Sequence, residues 1–166
     1  MQNHEEIPFI DVFSETSINL YRLCLIIEKL QYNRQKKKVL TLEKLLFIDA
    51  VIVDANLVKK INLHFNPKVL VDILDYKTYI NYTLQTLNDV LQGDTVKQRV
   101  MELYSLGLID VIVDNGEIFL INKNIIQLNI DNGLVREWND NLNLLKPFMN
   151  KSINQLINSL MDEIYD

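Results

Sequence analysis

The amino-acid sequence predicts a mostly helical fold that carries one β-hairpin in its second half. Three observations predict it: apolar residues recur at spacings of three and four through most of the chain, the residues that break such a pattern are few, and one Asn-Gly pair stands between two β-branched runs. With 166 residues, 48% of them hydrophobic and 23% charged, the chain has the balance of a globular protein and the length to bury a core. Only 4 Gly and 3 Pro are spread along it, so no flexible or Pro-rich linker divides it. A single domain over residues 1–166 is expected, running from a helical part (14–75) through a middle unit (76–125) to a helical arm (130–166).

Taken in order, Pro8-Phe9-Ile10 reads as an extended apolar entry, and Asp11 or Ser14 is placed to cap a helix that runs to about Leu30. Its apolar positions Ile18, Tyr21, Leu23, Cys24, Leu25, Ile27 and Leu30 wrap more than one face, as in a helix buried between others. The polar, basic stretch Gln31 to Lys38 then reads as a solvated loop. Thr41 caps a helix over Leu42 to about Asn56, with Glu43 at its positive end. Residues Leu57 to Asn66 show no clear period, and Pro67 suits the first turn of a next helix. A helical pattern returns over Tyr76–Leu91 with Ile80, Leu84, Leu87 and Leu91, and Gly93 breaks it.

Asp94 or Thr95 is then expected to cap a helix carrying Val96, Val100, Leu103 and Tyr104 on one face, with Gly107 at a left-handed C-cap. Two runs follow, Leu108 to Val113 and Glu117 to Asn122, around Asp114-Asn115-Gly116. An Asn-Gly pair in that setting specifies a tight hairpin, because both central residues take positive φ. Helix, helix and hairpin in that order make a winged-helix-type unit. Beyond it, Leu134, Trp138, Leu142, Leu145, Met149, Ile153, Leu156, Leu160 and Ile164 form one stripe repeating every eleven residues. Pro147 interrupts the stripe, so two helices meeting near Lys146 or one kinked helix are expected.

Charge and composition exclude several classes of function. The net charge is −5 and the pI about 5.1, so the molecule as a whole repels nucleic acid and anionic lipid. No apolar run approaches the roughly 20 residues of a membrane span, and the opening residues lack a secretory pattern. A cytoplasmic location is expected, and the single Cys24 agrees with a reducing compartment. Within the most apolar helix, Cys24 reads as a buried inert thiol and not a nucleophile. His4 and His64 have no second ligand at metal spacing, and Gly93, Gly107, Gly116 and Gly133 each stand alone, so neither a metal nor a nucleotide cofactor is expected. The acid pairs Glu5-Glu6 and Asp162-Glu163 sit in polar terminal segments, and Asp49, alone in an apolar stretch, reads as a paired structural carboxylate. No catalytic site is expected.

DNA reading by the helix from Asp94 is the rival to a structural role. Its outward residues would include Lys97, Gln98 and Arg99, types that contact phosphates and base edges. The hairpin, however, carries Asp110, Asp114 and Glu117 and no cation, and the run Lys36-Lys37-Lys38 reads as solvated.

Three stretches, taken together, carry a resemblance: Pro8 to Asp11 leading into Leu20-Tyr21-Arg22-Leu23 and Leu25-Ile26-Ile27-Glu28; Leu40 to Asp49; and Lys97 to Val111. Their order resembles the small middle component of ABC-three-component systems, bacterial anti-phage operons with Lamassu-type relatives. Leu42, Leu45, Leu46 and Asp49 occupy places comparable to that family's leucine-rich second helix, and Gly107-Leu108-Ile109 to the end of its winged-helix helix. Leu63 to Pro67 departs from the His-Pro loop of several members. The resemblance implies an accessory subunit that bridges an SMC-like coiled-coil ATPase and an effector without turning over substrate. DNA contact would then be indirect or weak, with no membrane association, and a homodimer is an open option. The expected partner surface is the late half of the arm, Met149, Ile153, Leu156 and Leu160, together with the edge strand at Glu117 and Phe119.

Overall fold

A computed structural model describes residues 16–67, 93–123 and 132–161. Among them, six α-helices, one 3-10 turn and a two-stranded antiparallel hairpin make a mostly helical structure with one β-hairpin, the predicted class. The expected cap at Asp11 or Ser14, the helix over Tyr76–Leu91 and the terminal acids lie outside the described residues.

Helix α1 (Thr16–Leu30) buries Leu23, Leu25, Ile26, Ile27 and Leu30, so it is covered on more than one side, as its wrapped apolar pattern requires. Helix α2 (Leu42–Val51) starts at Thr41, whose hydroxyl accepts from Lys44 N at 3.3 Å. It ends earlier than its sequence implies. Val51-Ile52-Val53 continues the apolar pattern through a turn, but Asp54 accepts from Asn56 N at 2.8 Å and starts a new helix, α3 (Ala55–Phe65). The stretch without clear period is thus a helix. Its buried face is Val58, Ile61 and Asn62, and a polar residue on that face hides the period.

Helix α4 (Asp94–Ser105) has Gly93 at its N-cap with no side-chain capping bond, so neither Asp94 nor Thr95 caps it. Its other end is a Schellman motif: Leu108 N donates to Leu103 O (3.0 Å), Gly107 N to Tyr104 O (2.9 Å), and Gly107 has φ +69°. Strands β1 (Ile109–Asp114) and β2 (Glu117–Asn122) pair from Ile109 with Asn122 to Asp114 with Glu117. Asn115 (φ +51°) and Gly116 (φ +83°) make the two-residue turn. The segment before α2 adds to the far side of β2, with Leu120 N donating to Leu40 O at 3.2 Å and Thr41 bridging to Phe119.

The stripe after the hairpin resolves as two helices, α5 (Gly133–Leu145) and α6 (Ile153–Met161), separated by a 3-10 turn at Lys146–Phe148 that contains Pro147. Ser152 and Gln155 form a reciprocal capping box at the start of α6, Gln155 N donating to Ser152 Oγ (3.3 Å) and Ser152 N to Gln155 Oε1 (3.0 Å). Both helices pack on α3. Phe65 lies 5.0 Å from Phe148, ring centre to ring centre, and Trp138 is fully buried. One contiguous apolar cluster runs from Leu23 to Leu160 and joins α1, α2, α3, the hairpin and the arm.

Candidate functional site

The surface with the strongest unsatisfied character is built by α4 and the hairpin that follows it. Helix α4 turns Val100 and Leu103 into the core. Tyr104, expected beside them, is half exposed, because one residue beyond Leu103 is a rotation of about 100° on a 3.6-residue helix. The outward positions are Gln98, Met101, Glu102, Tyr104 and Ser105, followed by Leu106, which is 66% exposed. At the hairpin tip Val113 is 71% exposed and Ile118 is also open. Five large apolar side chains therefore face solvent on two elements that pack against each other. They are five of the eight exposed large apolar side chains among the described residues. Sequence reasoning missed this surface, because Tyr104 reads as part of the stripe of Val96, Val100 and Leu103; Met101, which lies off that stripe, was the available signal.

The residues expected to read DNA lie near the start of the same helix. Lys97 Nζ stands 3.6 Å from Asp94 Oδ1, Gln98 is exposed and Arg99 is half-buried. On the hairpin, Asp114 is 3.8 Å from Lys38, and Asp110 is 3.5 Å from Lys123 just beyond β2. Carboxylates lead where a phosphate-contacting wing would present cations.

The expected partner face on the arm is corrected. Met149 and Leu156 are each 2% exposed, Leu160 is buried and Ile153 half-buried, because α6 lies on α3 and α2 of its own chain. The edge of β2 is also taken. Leu120 N bonds to Leu40 O and Asn122 N to Gln31 Oε1 (2.9 Å), so Glu117 is exposed at the tip while Phe119 lies half-buried beneath Lys38, 5.7 Å from ring to ammonium. Among the described residues no strand pairs with the other edge of β1.

A buried ion pair joins α1 to α2. Arg22 Nε donates to Asp49 Oδ1 at 2.7 Å and Nη2 to Oδ2 at 3.0 Å, with both side chains nearly covered and the guanidinium 5.6 Å from the Trp138 ring. Asp49 is the paired structural carboxylate its apolar setting implies. Lys44 Nζ similarly donates to Val39 O (3.1 Å) and Met149 O (2.9 Å), holding the arm to the loop before α2, and burial lowers its pKa. Cys24 is partly buried, and burial first, then Glu28, pushes its thiol up to about 11. It is a poor nucleophile at neutral pH. His64 packs edge-on against Phe65, 4.8 Å between centres. No described helix is long and apolar enough to cross a membrane.

Comparison with protein-family models, with curated proteins and with solved structures gives no match for this chain.

Proposed function

We propose that the chain is a non-catalytic, cytoplasmic adaptor subunit that joins an SMC-like coiled-coil ATPase to an effector in a bacterial anti-phage complex, docking through α4 and the hairpin tip. The observation that carries this reading is the exposure of Met101, Tyr104, Leu106, Val113 and Ile118 on a helix and wing whose charged residues are mainly acidic. A face of that composition gains by burying apolar area against protein and gains little from a phosphate backbone. The identity of the partners rests on the resemblance of the three sequence stretches.

A second reading has its own support in the connectivity. Helix α1, the short segment at Leu40-Thr41, helix α2, helix α4 and the hairpin follow the order of a winged helix, with α3 and residues up to Gly93 inserted before the last helix. In a winged-helix regulator α4 would enter the major groove and use Lys97, Gln98 and Arg99.

Co-expression of the tagged chain with the ATPase and effector of its own operon separates the two. Met101→Glu combined with Tyr104→Ala is expected to abolish co-purification while leaving the circular dichroism spectrum unchanged, and undiminished co-purification would sink the docking face. A nanomolar, sequence-selective complex with the operon promoter, lost on Lys97→Ala plus Arg99→Ala, would make the protein a transcriptional regulator instead.

A further inference from the structure

The loop between α1 and the segment that joins β2 carries Arg34, Lys36, Lys37 and Lys38, which by sequence reads as a solvated charge run. In the structure it is a locked turn with Asn33 as its hub. Asn33 N donates to Lys37 O (3.0 Å), Asn33 O accepts from Lys36 N (3.0 Å), and Asn33 Oδ1 accepts from both Gln35 N (2.9 Å) and Lys37 N (3.0 Å). Tyr32 and Lys38 bridge at its base, and Lys36 takes φ +58°. The Asn33 side-chain amide donates to Asn150 Oδ1 at 2.9 Å, tying the loop to the turn that follows the 3-10 segment.

Two grooves meet on this loop at Lys37. One, about 580 Å³, presents Arg34, Lys37 and Lys146 together with the amides of Asn33, Asn143 and Asn150, and no carboxylate lines it. The other, about 500 Å³, sets Lys36, Lys37 and Lys38 beside Tyr32 and Phe119, with Asp114 as its one acid. The chain carries −5 overall, so with these five cations set aside the remainder carries −10. Five of the chain's 17 lysines and arginines line these grooves, Lys38 lying 3.8 Å from Asp114.

We propose that this double groove binds the backbone of single-stranded nucleic acid without regard to sequence, phosphates lying among Arg34, Lys37 and Lys146, and bases stacking toward Tyr32. Guanidinium, ammonium and amide donors are the groups that hold phosphate oxygens, and aromatic rings beside a cationic groove are the elements of a single-strand platform. The locked turn matters because cations on a fixed backbone lose less freedom on binding than cations on a mobile one. An anionic bilayer is disfavoured, since the tip of the loop, Asn33 to Lys37, has no apolar side chain to insert and the remaining charge of the molecule is strongly negative. The proposal does not depend on which complex the chain joins.

Fluorescence anisotropy of the full chain with a labelled 30-nucleotide DNA strand tests it. Three phosphate contacts give a slope of about −2 in log K against log salt, or roughly 20-fold weaker binding at 200 mM than at 50 mM salt. Arg34→Glu, Lys37→Glu and Lys146→Glu together should abolish binding, the corresponding alanine triple should flatten the slope, and Tyr32→Ala should weaken binding several-fold. No binding by the wild type at 50 mM salt, or binding that the glutamate triple leaves intact, would overturn the proposal. So would tighter association with phosphatidylserine-containing vesicles than with the strand.

Discussion

Removing the carboxylate of Asp49 should be among the most damaging single changes in the described core. Asp49→Ala leaves the Arg22 guanidinium, whose side chain is 8% exposed, facing Trp138 and a small mostly apolar groove of about 340 Å³ formed with Leu46, Ala50, Val53 and Val96. Both charge-assisted bonds, at 2.7 and 3.0 Å, are lost together. Breaking a buried pair from one side costs about 3–5 kcal/mol, because the surviving charge stays out of water without a counterion. For a chain of this size, at about 3 °C per kcal/mol, that is a fall in Tm of roughly 10–15 °C. Replacing both partners, Arg22→Met with Asp49→Leu, removes the stranded charge and should recover most of the loss. Urea denaturation of the wild type, each single variant and the double variant forms a complete cycle, and the coupling energy should exceed about 2 kcal/mol. If Asp49→Ala costs less than about 1 kcal/mol, the guanidinium is finding water through the groove and the pair is not an anchor between α1 and α2.

Other perturbations have equally definite outcomes. Leu156→Ala should cost about 2–5 kcal/mol by leaving a cavity between α6 and α3, and truncation after Asn150 should unfold the chain; a stable truncate in a thermal melt would show that α6 is dispensable. Gly116→Ala places a Cβ at φ +83° with open space around it, so the expected loss of about 1–2 kcal/mol is purely conformational, and an unchanged midpoint in urea would contradict the turn geometry. Ser152→Ala removes the capping box of α6 for about 1 kcal/mol, visible as a Tm fall of roughly 3 °C. The Cys24 thiol has its folded pKa raised to about 11 from 9.0, so the unfolded chain releases the proton first. Its contribution to stability is fully present below pH 9 and declines as the pH rises toward 11. Comparing urea midpoints of the wild type and Cys24→Ala at pH 8 and 10.5 should show a steeper decline in the wild type, and parallel declines would refute the shift.

The local chemistry of several elements was legible in the sequence. Thr41 as a cap, Gly107 in a Schellman turn and Asn115-Gly116 in the hairpin follow from requirements that one or two residues satisfy alone, namely a side-chain acceptor or a positive φ. The break at Pro147 was equally local, and it fell at the 3-10 turn between α5 and α6. Asp49 was marked by being a carboxylate in an apolar run, although Arg22, 27 positions away, could be named as its partner only in the folded chain. The split between α2 and α3 escaped because Val51-Ile52-Val53 stays apolar through the turn, and the Asp54 cap is one residue against that trend.

Periodicity states which side chains share a face, but it does not state what covers the face. The row Met149, Leu156 and Leu160 reads alike whether it meets another protein or α3, and the tertiary structure puts it against α3. The edge of β2 likewise looked free until Leu40 and Gln31, distant in sequence, took the Leu120 and Asn122 N–H groups. The exposed α4 surface and the Asn33-locked basic grooves became visible for the same reason, since each is assembled from segments that only folding brings together. By itself the sequence determined the kind of element that most of the described stretches form, α3 excepted, because capping, turn and helix preferences act over a few residues. The tertiary structure decided which apolar faces are core and which are surface, because burial depends on contacts between residues far apart along the chain.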